Sequence, residues 1–197
     1  MKQRKVTNPL ALAVLAELVV EPMHPYEIGR RLKAHQTDQA IKYNQGSLYM
    51  VVKQLTKAGF IASQETVRDT LRPERTVYTL TDEGRRELFD WLSDLVAHPV
   101  NDHPQFGVAL SLMSVLPPAE SVRLLTERLE RLATQAEQIR QSRQKALDDG
   151  VLWVFLIDDD YRLSLLEAER QFVTELIESL KQPAYMRAWQ ETLGSQT

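Results

Sequence analysis

The sequence predicts a mostly α-helical protein with one small β-hairpin, divided into an amino-terminal and a carboxy-terminal domain. Its 197 residues are 43% hydrophobic and include no cysteine, which is typical of a globular chain that folds without disulfide bonds. Residues 119–182 contain no proline and a single glycine, Gly150, so a long helical hairpin is expected there. Residues 1–99 are interrupted more often by proline and glycine and predict shorter elements. We therefore expect domains at residues 1–99 and 100–197.

Three helices are expected in the first part of the amino-terminal domain. The first, over residues 9–20, begins after Asn8, and its leucine and valine residues recur at helical spacing. The second begins near Pro25 and mixes apolar with basic residues, as a short helix resting on a core does. The third, over residues 45–58, ends at Gly59, a common helix terminator. Its apolar face carries Leu48, Val51, Val52 and Leu55.

A β-hairpin is predicted after the third helix. Residues 60–67 are expected to form a short extended segment, and residues 75–80 are rich in the β-branched and aromatic residues that strands favour. Between them, residues 68–74 form a charged turn that contains Pro73. Pairing of the two segments would place this turn at the tip of a wing.

A fourth helix is predicted to follow the hairpin. Thr81 is suited to its N-cap, and two acidic residues in the first turn complement the positive end of the helix dipole. Leu88, Leu92 and Leu95 are expected to point into the core.

Three helices followed by a hairpin make a winged helix-turn-helix, a fold whose third helix can enter the major groove of DNA. Three short stretches lie within these elements: Pro-Tyr-Glu-Ile at residues 25–28, Gly-Ser-Leu-Tyr at residues 46–49, and Tyr-Thr-Leu-Thr-Asp-Glu-Gly at residues 78–84. Together with Leu55, Gly59 and Ile61, they resemble the pattern of PadR-type transcriptional regulators. The chain departs from that pattern at Met50 and Val52, where the family usually has Pro and Leu.

The resemblance implies a homodimeric DNA-binding protein, usually a repressor, whose two winged helices read the halves of a palindromic operator. Response to an effector is common in this family. The organisation of the rest of the chain resembles the longer PadR subfamily, which has a helical carboxy-terminal dimerisation domain. We therefore expect a sequence-specific transcriptional regulator that acts as an effector-responsive repressor.

The carboxy-terminal domain is predicted to be an antiparallel, coiled-coil-like pair of helices. Apolar residues recur in steps of three and four from Val122 to Ala146, interrupted only by Arg143. The second helix carries an apolar stripe over residues 163–180. That stripe is widened on one side by Leu165, Phe172 and Leu176. A face so broad is expected to contact both the first helix and a second copy of the chain; a closed intramolecular bundle is the alternative.

Charge is distributed unevenly along the chain. Residues 1–99 contain 14 basic and 12 acidic side chains, whereas residues 100–197 contain 10 basic and 15 acidic side chains. The 26 residues from 39 to 64 include three lysines and no Asp or Glu, so this stretch is suited to face a polyanion. A sequence pI near 5.9 indicates that any DNA-binding surface is confined to part of the protein.

The outward face of the third helix is the predicted DNA-reading surface. Tyr49 and Lys53 lie one turn apart, so the lysine is expected to reach phosphate or guanine and the tyrosine hydroxyl to reach phosphate. Polar residues at the helix start suit phosphate or base edges, and arginines in the wing suit the adjacent backbone. The predicted DNA-binding residues are Tyr26, Lys42, Asn44, Gln45, Ser47, Tyr49, Lys53, Lys57, Arg72 and Arg75. An ordinary solvated surface is the alternative, and packing into the core is the alternative for Tyr26.

No catalytic, cofactor or metal site is predicted. The four histidines are scattered, and the chain has neither a glycine-rich phosphate loop nor a nucleophile elbow. We therefore expect a protein that is not an enzyme, with a protein-binding scaffold lacking DNA affinity as the competing function. The longest apolar runs, residues 10–16 and 151–157, are far shorter than the roughly 20 residues that span a bilayer, so a cytoplasmic protein is expected.

Four aromatic residues suggest a place for an effector. Phe106, Trp153, Phe155 and Tyr161 are candidates to line an apolar cavity at a dimer interface, where a small planar aromatic effector would bind. Ordinary core packing is the alternative for all four.

Overall fold

The structure is a computed structural model of the chain, and it describes residues 4–35, 37, 41, 43–64, 76–99 and 104–192. The chain divides into two compact units, residues 1–101 and 102–197. Helices dominate both units, and the sheet found in the described residues has two strands. The predicted fold class, mostly helical with a small hairpin, is confirmed.

The described part of the amino-terminal unit contains α1 (Pro9–Val20), α2 (Pro25–Ala34), α3 (Gln45–Ala58), β1 (Ile61–Gln64), β2 (Val77–Leu80) and α4 (Asp82–Ala97). Helix α1 begins after Asn8, because that side chain accepts a hydrogen bond of 3.0 Å from the backbone N–H of Leu10. Helix α3 runs without interruption through Met50 and ends at Gly59. The φ of Gly59 is 80°, a left-handed conformation that glycine adopts without strain.

The two strands form an antiparallel pair in which Ile61 lies opposite Leu80. A residue between α1 and α2 extends this small sheet, since Met23 exchanges backbone hydrogen bonds of 3.1 and 3.0 Å with Tyr78. The base of the wing is thereby joined to the segment that connects α1 and α2.

The junction between the wing and α4 depends on a close backbone contact. Thr81 caps α4 by accepting a hydrogen bond of 3.0 Å from the backbone N–H of Gly84. A Cβ atom on Gly84 would lie only 2.0 Å from the carbonyl oxygen of Phe60, so this approach requires glycine.

Helix α4 turns only part of its apolar surface into the core. Leu88 and Trp91 are buried there, but the prediction that Leu92 and Leu95 point inward is wrong, because they are 44% and 45% exposed. Leu92 lies at the edge of the buried face. Leu95 lies one turn beyond Trp91, the last residue of the buried core cluster.

A buried arginine fastens the segment before α1 to α4. The Arg4 side chain is 4% exposed, and its Nη1 lies 2.8 Å from Oε1 of Glu87. The same guanidinium group pairs with Asp94 and lies 5.4 Å from the centre of a Trp91 ring. Opposite charge and a ring face therefore hold this segment in one position.

The described part of the carboxy-terminal unit contains α5 (Gln105–Ser111), a 3-10 turn (Met113–Val115), α6 (Pro118–Asp148), a second 3-10 turn (Trp153–Leu156), α7 (Ile157–Leu180) and α8 (Pro183–Thr192). Helices α6 and α7 run antiparallel, since Arg128 pairs with Glu169 at 2.5 Å and Arg143 pairs with Asp160 at 2.7 Å. This confirms the predicted helical hairpin.

One stripe of α7 is buried, and the neighbouring stripe is exposed except at Leu176, which packs partly buried against the core. Val173, Ile177 and Leu180 form a buried cluster with residues of α6 that include Leu125. Leu165 and Phe172, which widen the apolar face, are exposed in the single chain. Much of the apolar surface at the turn between α6 and α7 is exposed as well, including Trp153, Phe155 and Tyr161.

Candidate nucleic-acid interface

Helix α3 separates an apolar face from a polar one. Its buried residues are Leu48, Val51, Val52 and Leu55. On the exposed side, Tyr49, Lys53 and Lys57 follow one another at intervals of four residues, so they form a row that rises about 6 Å at each step. We call these three residues the α3 row. A straight row of this length matches the reach of a helix lying in a major groove.

The start of α3 is held by a capping box. The Asn44 side chain accepts a hydrogen bond of 2.8 Å from the backbone N–H of Ser47, and Ser47 Oγ accepts one of 3.1 Å from the backbone N–H of Asn44. Ser47 Oγ also donates to the Asn44 carbonyl oxygen at 2.7 Å. The structure therefore gives both residues a capping role, while Gln45 beside them is exposed.

Helix α2 lies close against the start of α3. A Cβ atom on Gly29 would lie 2.5 Å from the Tyr43 hydroxyl oxygen and 3.1 Å from a methyl group of Leu48, so glycine permits the approach. Tyr26, at the beginning of α2, is 60% exposed and is not packed into the core. Its ring is therefore available to a partner on the surface.

The two helices differ in how their charges are compensated. On α2, Arg30 forms an ion pair of 2.6 Å with Glu27, and the hydrogen bond from Arg30 lowers the pKa of the Glu27 carboxyl. On α3 there is no acidic residue, and within the described part of the chain neither Lys53 nor Lys57 forms an ion pair. Among the described residues, nothing therefore compensates the positive charge of the α3 row.

One basic residue near this surface is absent from the sequence prediction. Lys5 lines the same shallow groove as Lys57, a space of about 520 Å³ that also borders Asn8 and Gln54. The Lys5 ammonium lies 5.5 Å from the centre of the Phe60 ring. The basic residues that precede α1 in the sequence could have indicated Lys5, but the spacing of residues along α3 could not.

Three predicted contacts, Lys42, Arg72 and Arg75, lie outside the described residues. Within the described ranges, no group of three or more His, Asp or Glu side chains is placed to hold a metal ion. The helices described there include none that is long and apolar enough to cross a membrane.

Comparison with known proteins shows what these features resemble. A model described as the transcriptional regulator PadR-like family matches residues 12–90. The chain is 28% identical over 171 residues to the negative transcriptional regulator PadR of Bacillus subtilis (strain 168), which covers 85% of this chain and 93% of that protein.

Solved structures share the fold over most of the chain. Bacillus subtilis PadR in complex with operator DNA is 23% identical, with a TM-score of 0.72 over 89% of this chain and 99% of that one. The same protein in complex with p-coumaric acid is 22% identical, with a TM-score of 0.71 over 88% of this chain and 99% of that one. The Vibrio cholerae virulence activator AphA is 19% identical, with a TM-score of 0.67 over 87% of this chain and 97% of that one. The family model thus matches the winged helix, and the fold of both units is similar to that of PadR-like transcriptional regulators.

Proposed function

We propose that this regulator is a homodimer that binds a palindromic operator, with α3 of each copy in the major groove, and that it represses transcription until a small effector binds. The observation that carries the proposal is the α3 row: a tyrosine and two lysines that form no ion pair within the described ranges, on a helix without acidic residues. Such a surface attracts phosphate and presents donors to base edges. The relatives are regulators rather than enzymes, and we propose no catalytic activity and a cytoplasmic location for this chain as well.

The DNA-binding domain of the proposal is residues 1–99. Tyr49 and Lys53 are its central contacts, because they lie on one line of the exposed face. Tyr26, Gln45 and Lys57 flank them and are exposed too. The remaining proposed contacts are Asn44 and Ser47 at the helix start, Lys42 before it in the sequence, and Arg72 and Arg75 in the segment predicted to form the turn of the wing.

Dimerisation is assigned to residues 100–197. Helix α6 covers one apolar stripe of α7, but Leu165 and Phe172 remain exposed on the next stripe. Large exposed apolar surfaces on a folded chain mark interaction sites, and a second copy supplies a matching surface by symmetry. A twofold dimer also fits a palindromic operator, in which two half-sites lie about 34 Å apart.

Repression and effector release are supported by the relatives. The curated relative is described as a negative regulator, and one structure of Bacillus subtilis PadR contains p-coumaric acid. We therefore propose that a small planar aromatic effector weakens operator binding by this protein.

The test begins with a footprint of the full chain on DNA upstream of its own gene, followed by affinity measurements at several salt concentrations. We expect a protected palindrome and a log–log salt slope of about −0.9 for each phosphate contacted. Analytical ultracentrifugation should give a dimer in the same buffer. A monomer, or the absence of binding to any duplex at low ionic strength, would refute the proposal and favour a protein-binding scaffold.

A further inference from the structure

Residues 4–8 precede α1 and are fixed to the amino-terminal unit at every second position; we call them the arm. The Arg4 side chain is buried against α4, where it pairs with Glu87 at 2.8 Å. Val6 is buried in the core cluster of this unit. The Asn8 side chain caps α1. A buried ion pair, an apolar contact and a helix cap therefore hold the backbone of the arm in place.

The residues between these anchors face solvent. Lys5 and Thr7 are exposed, whereas the side chains of Arg4 and Val6 on either side of Lys5 are buried. Within the described ranges, Lys5 forms no ion pair. A backbone held from behind thus presents a positive charge and a hydroxyl group outward.

The arm shares a shallow groove with the end of α3. The volume of this groove is about 520 Å³, and Lys5 and Thr7 line it together with Gln54 and Lys57 of α3. The Lys5 ammonium lies 5.5 Å from the centre of the ring of Phe60, a residue that is 2% exposed. Because the face of an aromatic ring attracts a cation, this contact keeps the ammonium group at the wall of the groove.

The charges in the groove suit an anion. Among the described residues that line it, two are lysines and none is acidic. The neutral polar side chains beside them include the Thr7 hydroxyl and the Gln54 amide, which can both donate hydrogen bonds. Two lysines that line one groove repel each other, and a bound anion would offset this repulsion. A phosphate group fits, since lysine binds phosphate as a compact charge.

Continuity with the α3 row identifies the source of the phosphate. Lys57 belongs both to the α3 row and to the groove, and Gln54 directly follows Lys53. From Tyr49 to Lys57 the row spans about 12 Å, roughly the width of a major groove. With α3 in the major groove, Lys57 at the end of the row therefore lies close to the DNA backbone that borders it.

We propose that the arm is a second DNA-binding element, in which Lys5 and Lys57 together hold a backbone phosphate at the border of the major groove that α3 enters. Arg4 is its positioning residue: it is buried and contacts no phosphate, but its ion pair with Glu87 fixes the backbone from which Lys5 extends. The inference rests on the proposed function, because it adds a contact to the same DNA complex. Contacts with phosphate carry no sequence information, so the arm contributes affinity and register.

A matched pair of variants at Thr7 tests the groove without removing a lysine. Thr7→Glu places a carboxylate in the groove, whereas Thr7→Gln adds a side chain of the same shape without the charge. Operator affinity of the full chain should fall on the order of tenfold in Thr7→Glu and less than about twofold in Thr7→Gln. An acidic residue near the start of α1 is favourable to the helix dipole, so Thr7→Glu should fold normally. Equal operator affinities of the two variants would overturn the proposal.

Removing the lysine measures the contact itself. Lys5→Gln should lower affinity about fivefold for operator and unrelated DNA alike, and reduce the salt slope by about 0.9 for each copy that makes the contact. Lys5→Arg keeps the charge and should bind almost normally. The matched control is Lys145→Gln, which removes a lysine from the exposed surface of α6 and should change neither quantity. A loss of the same size in the control would mean that net charge alone is measured, against the inference.

A neutral phosphate analogue locates the contact on the DNA. Operators with a methylphosphonate at one backbone position at a time should include a position that costs wild type about fivefold in affinity and costs Lys5→Gln nothing. The double variant Arg4→Met/Glu87→Gln removes the ion pair without leaving a buried charge, and it should lose the effect at this position alone. A purely structural role of Arg4 would weaken binding to every operator by the same factor. Absence of any position coupled to Lys5 would rule out the phosphate contact.

The same measurements separate the arm from the proposed function. Operator binding by wild type with unchanged binding by Thr7→Glu would leave the proposed function standing and refute the arm. Absence of wild-type binding to any duplex at low ionic strength would refute both. Inorganic tripolyphosphate should compete with operator only as far as its ionic strength requires. Stronger competition that Lys5→Gln abolishes would assign the groove to a free anion and overturn the DNA contact.

Discussion

One helix of each unit, α3 and α6, uses basic residues in the opposite way from the other. On α3, Lys53 and Lys57 face outward without an ion-pair partner in the described residues, and no acidic residue shares their helix. On α6, by contrast, Arg123 pairs with Glu120 at 2.6 Å. Further pairs along the helical hairpin are Arg128–Glu169, Arg131–Glu127, Arg140–Glu167 and Arg143–Asp160. Paired charges cancel at a distance, whereas the lysines of α3 keep a field that attracts a polyanion.

Burial creates a second contrast. Arg4 and Glu87 in the amino-terminal unit are almost completely buried, whereas Arg123 and Glu120 on α6 are exposed. An exposed pair gains little because water screens both charges, but a buried charge that loses its partner has no water to replace it. The number of ion pairs in a unit therefore says little about their contribution to its stability.

Reversing one charge in the α3 row should have the largest effect. Lys53→Glu replaces an attraction to DNA by a repulsion in both copies of the dimer, so operator affinity should fall at least about a thousandfold, roughly 4 kcal/mol. Fluorescence anisotropy with labelled operator measures the affinity, and ultracentrifugation should still give a dimer. The control, Lys145→Glu on the exposed surface of α6, should bind operator normally. Equal loss of affinity in both variants would mean that the α3 row has no special role.

Removing the buried arginine should be the most damaging change to stability. Arg4→Met leaves the Glu87 carboxylate buried without its partner, and this should destabilise the amino-terminal unit by about 3 kcal/mol. Hydrogen exchange in α4 peptides reports this loss separately from the other unit. The exposed counterpart, Arg123→Met, should leave exchange in α6 unchanged. Adding Glu87→Gln to Arg4→Met should restore part of the lost protection; a double variant no better than Arg4→Met would contradict this explanation.

A weaker contact at the end of the α3 row should change affinity without changing specificity. Lys57→Gln removes one proposed phosphate contact, so operator affinity should fall about fivefold and the salt slope should lose about 0.9 for each copy that makes the contact. Binding to unrelated DNA should weaken by the same factor. A selective loss on operator DNA would instead assign Lys57 to base recognition.

The smallest effect is expected in the carboxy-terminal unit. Burial raises the pKa of Asp159, and the neighbouring Asp158 adds to the effect. The folded state therefore disfavours the Asp159 carboxylate. This penalty is absent below the ordinary pKa of aspartate, grows between that pKa and the higher folded one, and is fully present above the folded value. Asp159→Asn should raise the melting temperature by roughly 1–3 °C at pH 7, with the gain disappearing near pH 3–4. A gain independent of pH would exclude ionisation as its cause.

Local signals in the sequence were sufficient for the helix ends. Asn8 and Gly59 act through hydrogen bonds and backbone angles within a few residues, so the expected bounds of α1 and α3 agree with the structure. The exposure of Tyr49 and Lys53 follows from the helical period in the same way. Their contact with DNA stays a prediction, as do the contacts proposed for the other residues of the surface.

Long-range packing was not accessible in this way. Arg4 contacts Glu87, 83 positions away in the sequence, and Lys5 lies in the groove beside Lys57. Neither contact can be predicted from a pattern of neighbouring residues. Leu95 follows the periodicity of a buried residue, yet the core ends one turn earlier, at Trp91. The capping role of Ser47 was likewise missed, because the same polar residue at a helix start suits either a cap or a phosphate.

The sequence by itself determined the order of the helices, the hairpin, the acid-free face of α3 and the family pattern, since each depends on neighbouring residues and the helical period. The tertiary structure alone decided which apolar faces are covered, which arginine is buried, and that Lys5 and Lys57 share a groove. Burial and loss of water depend on neighbours from distant parts of the chain, and the folded arrangement alone supplies those neighbours.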